Sequence, residues 1–375
     1  MTDSAIIRPT RTPWGFLAFN FVLSRLFLLT VARLGLLLFQ KGAFYTPPGS
    51  ILDWLKQWDS GWYLGIAQNG YRYVPGRQCN VVFFPLYPIL MRWLAFGGMI
   101  DYRLIGYFIS NSSLFFAAVV LWKLAVIEMP DESSARRVVQ LVLFNPATVF
   151  YSSIYSESLY LLCLVSTLYL ARVERWLLAA VCAYATGLSR VVGLLLVIPL
   201  ICEYVLQNRR DWTWRNLKAW RALACIAAPG LGFLTYVGYL DRTFGEPLAF
   251  IKAEVAWGRK LVWPWVPFRH LGWYDPPYAI LFVCTAIIAL ALLFVAARWR
   301  MRPTYLLVLV IFPAICVSSS RLESLPRYFS VLFPFYFVLA LITRKWPHLA
   351  GPLFVLFGGL QVMATILFVN GYWFT

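Results

Sequence analysis

Residues 16–39 read FLAFNFVLSRLFLLTVARLGLLLF, an apolar run longer than the roughly 20 residues a helix needs to cross a bilayer's hydrocarbon core. Its two arginines, Arg25 and Arg33, are costly in lipid and belong at a bundle interior or reaching a headgroup. Comparable runs recur at Leu223 to Leu240, Ala279 to Ala297 and Leu349 to Asn370. The chain as a whole has the composition these runs demand. Of 375 residues, 61% are hydrophobic and 13% charged, where a soluble domain carries about 25% charged residues. So little charge cannot cover a water-facing surface, and the chain reads as an all-α polytopic integral membrane protein. The run at 16–39 is too long for the apolar core of a signal peptide, so it reads as a retained first span behind a short basic N-terminus.

The net charge of +17 raises nucleic acid as a partner. The basic residues, however, are spread over short connections, which fits membrane orientation and anionic lipid headgroups and no nucleic-acid partner. The 17 tryptophans cluster near segment ends, as in interfacial belts. Six of the seven cysteines lie in apolar runs and only Cys79 in a polar loop, without a paired framework. With two histidines in unrelated places, no metal site and no cofactor are expected. P-loop, dinucleotide and nucleophile-elbow motifs are missing from the sequence.

Further spans fall near 104–127, 138–154, 158–171, 177–189, 191–206, 222–240, 277–297, 303–318, 328–342 and 350–370. The stretch 83–99 decides their parity. Read as re-entrant or interfacial, it leaves about eleven spans and puts almost every dense basic cluster on one side: Arg136-Arg137, Arg172 and Arg175, Arg209-Arg210 with Arg215, Arg298 to Arg302, and Arg344-Lys345. That side is then cytoplasmic. The opposite, outer face receives three larger segments, 40–103 with interfacial helices, 241–276 and 319–327, so the chemistry is expected there. The whole chain, 1–375, reads as one transmembrane domain.

Three constellations stand out on that face. In Gln57-Trp58-Asp59-Ser60-Gly61-Trp62-Tyr63, a helix would align Trp54, Trp58, Trp62 and Ile66 as an apolar stripe lying in the interface. Asp59 then reads either as a helix N-cap or as a carboxylate base toward a hydroxyl. In Ser156-Glu157-Ser158, Ser156 as cap with Glu157 facing the helix dipole competes with Glu157 as a second site carboxylate. Third are the bases Arg190, Arg259, Lys260, Arg321 and Arg327. Arginine's planar fork matches phosphate oxygens, while ordinary snorkelling to headgroups is the alternative, favoured for Lys260.

Taken in order, these segments resemble the PIG-V type mannosyltransferases of the GT-C glycosyltransferase superfamily. The resemblance lies in Trp58-Asp59 with Trp62-Tyr63 and Gly70-Tyr71, Phe83-Phe84-Pro85-Leu86-Tyr87-Pro88, Asn145-Pro146-Ala147 with Tyr155-Ser156-Glu157, Gly187-Leu188-Ser189-Arg190, Gly245-Glu246-Pro247 with Trp257-Gly258-Arg259, and Pro326-Arg327-Tyr328. It implies a GT-C-like bundle and an inverting transfer of a sugar, with mannose the expected one, from a polyprenyl-phosphate-linked donor to a glycan or glycolipid acceptor. Under that resemblance Asp59 is the general base and Glu157 its supporting carboxylate. Arg190, Arg327 and Arg259 hold the donor phosphate, and Trp58, Trp62 and Tyr63 contact substrate. The bacterial members, which also lack a large soluble domain, set the expected location as a bacterial cytoplasmic membrane with the site on its outer face. A lipid or lipid-linked-sugar flippase without transferase activity is the competing reading, against which stand polar groups gathered at one surface and no internal repeat.

Overall fold

The computed structural model describes residues 11–208 and 217–372. Arg209, Arg210 and Arg215 of the expected basic clusters lie outside these. The described chain is helical throughout, with a single isolated bridge between Leu261 and Ser319. The first helix, α1 (Trp14–Leu38), is the run that opens the sequence. Its Arg25 is buried and donates to Ser152 Oγ, to Thr148 Oγ1 at 2.7 Å and to the Leu143 carbonyl at 3.2 Å. The intramembrane guanidinium thus faces the bundle interior.

The segment after α1 has no long helix. It carries α2 (Ser60–Asn69) and α3 (Leu86–Leu94). At 1.5 Å per residue α3 rises about 13 Å, under half of the ~30 Å hydrocarbon thickness. It is too short to cross on its own. Next come α4 (Tyr102–Glu128) and α5 (Glu132–Leu143). The expected continuous span 138–154 is broken after α5. Asn145 Nδ2 donates to the Val142 carbonyl at 2.6 Å, and its Oδ1 accepts from the Ala147 N–H at 2.8 Å. Pro146 cannot supply a helical N–H, so these side-chain bonds and Arg25 stand in at the gap. A single short turn follows, α6 (Thr148–Ser152), and then α7 (Glu157–Arg172), whose first residue arrives inside the protein.

Helices α8 (Trp176–Ser189), α9 (Val197–Gln207) and α10 (Leu217–Phe244) follow. Here α8 and α10 touch backbone to backbone. A Cβ on Gly187 would stand 2.1 Å from the Pro229 carbonyl oxygen, and one on Gly232 would stand 2.2 Å from that of Tyr184. Only glycine permits this approach, and it fixes the end of α8, where Arg190 sits. The chain continues through α11 (Ala249–Ala256) and α12 (Val266–Arg269) to α13 (Pro276–Arg298) and α14 (Pro303–Val317). The expected span 328–342 is also interrupted, into α15 (Leu325–Ser330) and α16 (Pro334–Lys345), before α17 (Ala350–Val369).

Among the described residues five helices are long and apolar enough to cross a membrane: α1, α4, α10, α13, and α17 with the turn preceding it. Shorter apolar helices lie at Trp176–Ser189, Val191–Gln207 and Pro303–Val317. The protein is an integral membrane helical bundle, and its helices are shorter and more often broken than eleven full spans would be. The breaks fall where polar residues enter its interior.

Candidate active site

Asp59 sits at the N-cap position of α2, yet its side chain makes no capping hydrogen bond. Its Oδ2 instead accepts from Arg327 Nη1 at 2.7 Å. The cause is local. Trp58 has a left-handed backbone, φ +54°, a conformation that costs a bulky residue of order 1–3 kcal/mol and persists only where surroundings enforce it. The enforcing group is Tyr155, 1% exposed. Its hydroxyl donates to the Gln57 carbonyl at 3.3 Å and accepts from the Asp59 N–H at 3.1 Å, gripping the chain on both sides of Trp58. Because α2 starts at Ser60, the expected stripe of Trp54, Trp58, Trp62 and Ile66 on one helix does not form.

Glu157 opens α7 and is 1% exposed, where the N-terminal end of the helix dipole favours an anion. Arg190 donates to its Oε1, and Arg327 Nε lies 3.3 Å from the same oxygen. Glu157 Oε2 has no hydrogen-bond partner among the described residues. Ser156 does not cap α7. Its Oγ meets the Tyr63 hydroxyl at 2.9 Å, with Arg190 Nε at 3.4 Å. Arg327 therefore bridges Asp59 and Glu157, and Arg190 extends the chain of charges.

Arg259 joins from the other large segment. Gly258, at φ +76°, turns the backbone out of α11, and loops 258–262 and 318–320 are pinned by Val262 N–H to Ser318 O and Ser320 N–H to Lys260 O, each 2.8 Å. Arg259 Nη1 then donates to the Tyr328 hydroxyl at 2.9 Å. Arg321 pairs instead with Glu323 at 3.1 Å. Burial pushes the Glu254 carboxyl above its usual range. Arg259 partly opposes this, and the charge of Asp59 adds to it. Three guanidinium groups thus gather at two paired carboxylates, with Glu254, a weaker acid than usual, close by.

The remaining sequence candidates divide. Trp62 stands edge-on to Trp257 at 5.2 Å between ring centres and stacks on Phe83 at 6.0 Å, a half-buried aromatic wall one turn from Asp59. Trp58 packs against Phe44 at 5.2 Å. Tyr63 is buried at 6% exposure and braces Ser156, so its ring offers no open face to a substrate. Ser156, Tyr155, Glu254, Trp257 and Tyr328 were not marked as site residues from sequence. Tyr155, Ser156, Trp257 and Tyr328 each had a local signal, a place in a motif with Glu157, Arg259 or Arg327, and Glu254 had none of that kind. Among the described residues no three His, Cys, Asp or Glu side chains gather as metal ligands.

The backbone places the chain in a known class. It superposes on ArnT from Cupriavidus metallidurans bound to undecaprenyl phosphate with a TM-score of 0.53, covering 96% of this chain and 76% of that one at 14% identity. It superposes on the archaeal oligosaccharyltransferase AglB from Archaeoglobus fulgidus, in complex with an inhibitory peptide and a dolichol-phosphate, with a TM-score of 0.51, covering 97% and 56% at 12% identity. The fold is that of the GT-C glycosyltransferases. Residues 48–235, half of the chain, match the model of the family Mannosyltransferase (PIG-V), and the chain belongs to that family. Similar relatives include GPI mannosyltransferase 2 of Drosophila melanogaster, 28% identical over 122 residues, and of Drosophila pseudoobscura pseudoobscura, 30% over 118. Each match covers 29% of this chain and 25% of the relative, so the chain matches about a quarter of these relatives' length.

Proposed function

We propose that this protein transfers a mannosyl group from a polyprenyl-phosphate-linked donor to a hydroxyl of a glycan or glycolipid, with inversion, on the extracytoplasmic face of its membrane. The observation that carries this reading is Arg327, which touches Asp59 and Glu157 and stands beside Arg190 and Arg259. A base and a cluster of phosphate-seeking cations therefore share one guanidinium. In the reaction the acceptor oxygen bonds to C1 as its proton passes to Asp59. The bond from C1 to the phosphate oxygen breaks, and polyprenyl phosphate leaves with the bonding pair. Arg190, Arg259 and Arg327 take up the negative charge on the departing phosphate, and Glu157 holds two of them in place. A buried array of fixed donors is the arrangement in which such stabilisation is strongest.

Family membership supports the sugar, and the GT-C fold supports the lipid-linked donor. For the face, the supporting observation is the far end of the bundle, where Arg136, Arg172, Arg302 and Arg344 gather with their partners, the side expected to be cytoplasmic.

The test is transfer from radiolabelled polyprenyl-phosphate mannose by reconstituted protein to a panel of glycan acceptors. Asp59→Asn is expected to lower the rate by about 10²–10⁴, the range for a general base, while still binding polyprenyl phosphate. Equal rates for wild type and Asp59→Asn would remove Asp59 from the chemistry. Lipid movement without transfer would replace the enzyme with a flippase.

A further inference from the structure

Three guanidinium groups crowded at one site repel one another, and in a low-dielectric interior that repulsion is far stronger than in water. Asp59 and Glu157 offset it for Arg327, and Glu157 does so for Arg190. The side chain of Arg259 meets a phenol. The same phenol ring recurs at all three cations. The guanidinium carbons of Arg327, Arg190 and Arg259 lie 5.2, 5.6 and 6.0 Å from the ring centre of Tyr328, within the ~6 Å reach over which an aromatic quadrupole attracts a cation. The position of Tyr328 is built in. Ser324, left-handed at φ +71°, turns the chain into α15, and its carbonyl accepts the Tyr328 N–H at 2.9 Å.

We infer that Tyr328 is the positioning residue of the anion site: its ring holds Arg190, Arg259 and Arg327 convergent on the donor phosphate, and its hydroxyl orients Arg259. The inference rests on the phosphate site proposed above and says what keeps that site assembled before a ligand arrives. Tyr328 need not touch the sugar or the lipid. It acts through the cations, by lowering the cost of keeping like charges together. Preorganisation of this kind shows as affinity for the phosphate and, because the same cations take up the charge of the departing phosphate, in the chemical step as well.

A ring that only fills space can be told from one that attracts cations. Phenylalanine and its mono-, di- and trifluorinated forms at position 328 are nearly the same size, so folding is common to the series, while each fluorine weakens the negative face of the ring. The readouts are the Kd for polyprenyl phosphate on the full reconstituted chain, the donor KM and kcat, and the thermal midpoint. Tyr328→Phe is expected to weaken binding about 3-fold through the lost bond to Arg259. The fluorinated series should then fall stepwise in affinity, to about 10-fold at three fluorines, with kcat falling stepwise too and the midpoint nearly constant. A flat fluorine series with wild-type protein still binding polyprenyl phosphate would overturn the role of Tyr328 and leave the proposed function standing. Wild-type protein that does not bind polyprenyl phosphate at all would remove the phosphate site, and this inference with it.

Discussion

The two ends of the bundle handle buried charge in opposite ways. At the far end Glu203, 1% exposed, accepts from Arg302 Nε and Nη2 at 2.9 Å each, from Thr304 at 2.6 Å and from Gln207 at 2.7 Å. Glu128 likewise accepts from Arg172 at 2.8 Å and Tyr305 at 3.1 Å. One carboxylate meets one guanidinium, and neutral donors add to the pairing; at Glu203 both oxygens are served. At the site end one oxygen of Glu157 serves two arginines while the other goes unpaired, and Arg259 turns to a phenol. A saturated ion network is a fastener, because nothing further can bind without breaking it. At the site end a donor is left over: Arg327 Nε has no hydrogen-bond partner among the described residues, and a spare guanidinium N–H is what an anionic ligand can take.

The largest effect should come from Arg327, which the comparison makes the pivot. Arg327→Ala removes a phosphate donor and leaves Asp59 and Glu157 without the charge between them. Loss of one preorganised donor at a developing oxyanion typically costs 10²–10³ in rate, and transfer by Arg327→Ala is expected to fall at least that far. Initial rates at saturating acceptor read it directly. A variant within 3-fold of wild type would mean that Arg327 is a fastener too, and the contrast between the ends would be gone.

The next test moves the same change to the far end. Arg302→Ala leaves Glu203 buried without its ion partner, and breaking a buried pair in this way costs about 3–5 kcal/mol. Denaturation of the reconstituted protein should show that loss, while turnover per folded molecule stays within about 2-fold. If instead stability held and turnover collapsed, the far end would be coupled to the chemistry and the division of labour would be wrong.

This division was only partly legible in the sequence. Hydropathy located the helices well because crossing lipid imposes a length and an apolarity that any reading detects, and α1 and α4 lie within two residues of the expected 16–39 and 104–127. The breaks were hidden. Asn145-Pro146 is a short interruption inside an apolar run and 331–333 is wholly apolar, and at the first break the freed Leu143 carbonyl is satisfied by Arg25, a partner that only the fold brings near. Asp59 was readable as cap or base. What decides its geometry is the left-handed Trp58, gripped by Tyr155, and an arginine 268 residues away. Tyr63 was placed with the substrate by the resemblance alone, while the helix assumed through 54–66 carried the tryptophan stripe. Once α2 starts at Ser60, the Tyr63 hydroxyl turns inward to Ser156. Tyr328 carried no chemistry of its own on paper, since its role exists only where three arginines meet.

The smallest expected effect bears on how finely the site's charge is balanced. Burial, with a contribution from Asp59, raises the Glu254 pKa above the usual carboxylate range against the pull of Arg259. The folded protein therefore holds that proton more tightly than the unfolded chain. Its contribution to stability is fully present below the unfolded pKa and is lost as pH rises through the folded value. Ionisation of Glu254 adds a negative charge beside the arginines, so affinity for the donor should decline as it loses its proton. The Tyr328 phenol, which despite burial the same three arginines hold below its usual range, acts in the same sense at higher pH. The donor is a phosphodiester with one fixed charge, unlike a phosphate monoester with its second ionisation near pH 6, so the ligand does not titrate alongside the protein. Donor Kd is expected to weaken about 3-fold from pH 5 to 8 in wild type, as one partly screened charge would produce, and to stay level in Glu254→Gln. Equal slopes in the two would show that Glu254 does not set the pH dependence and that another group, with Tyr328 the nearest to the three arginines, does.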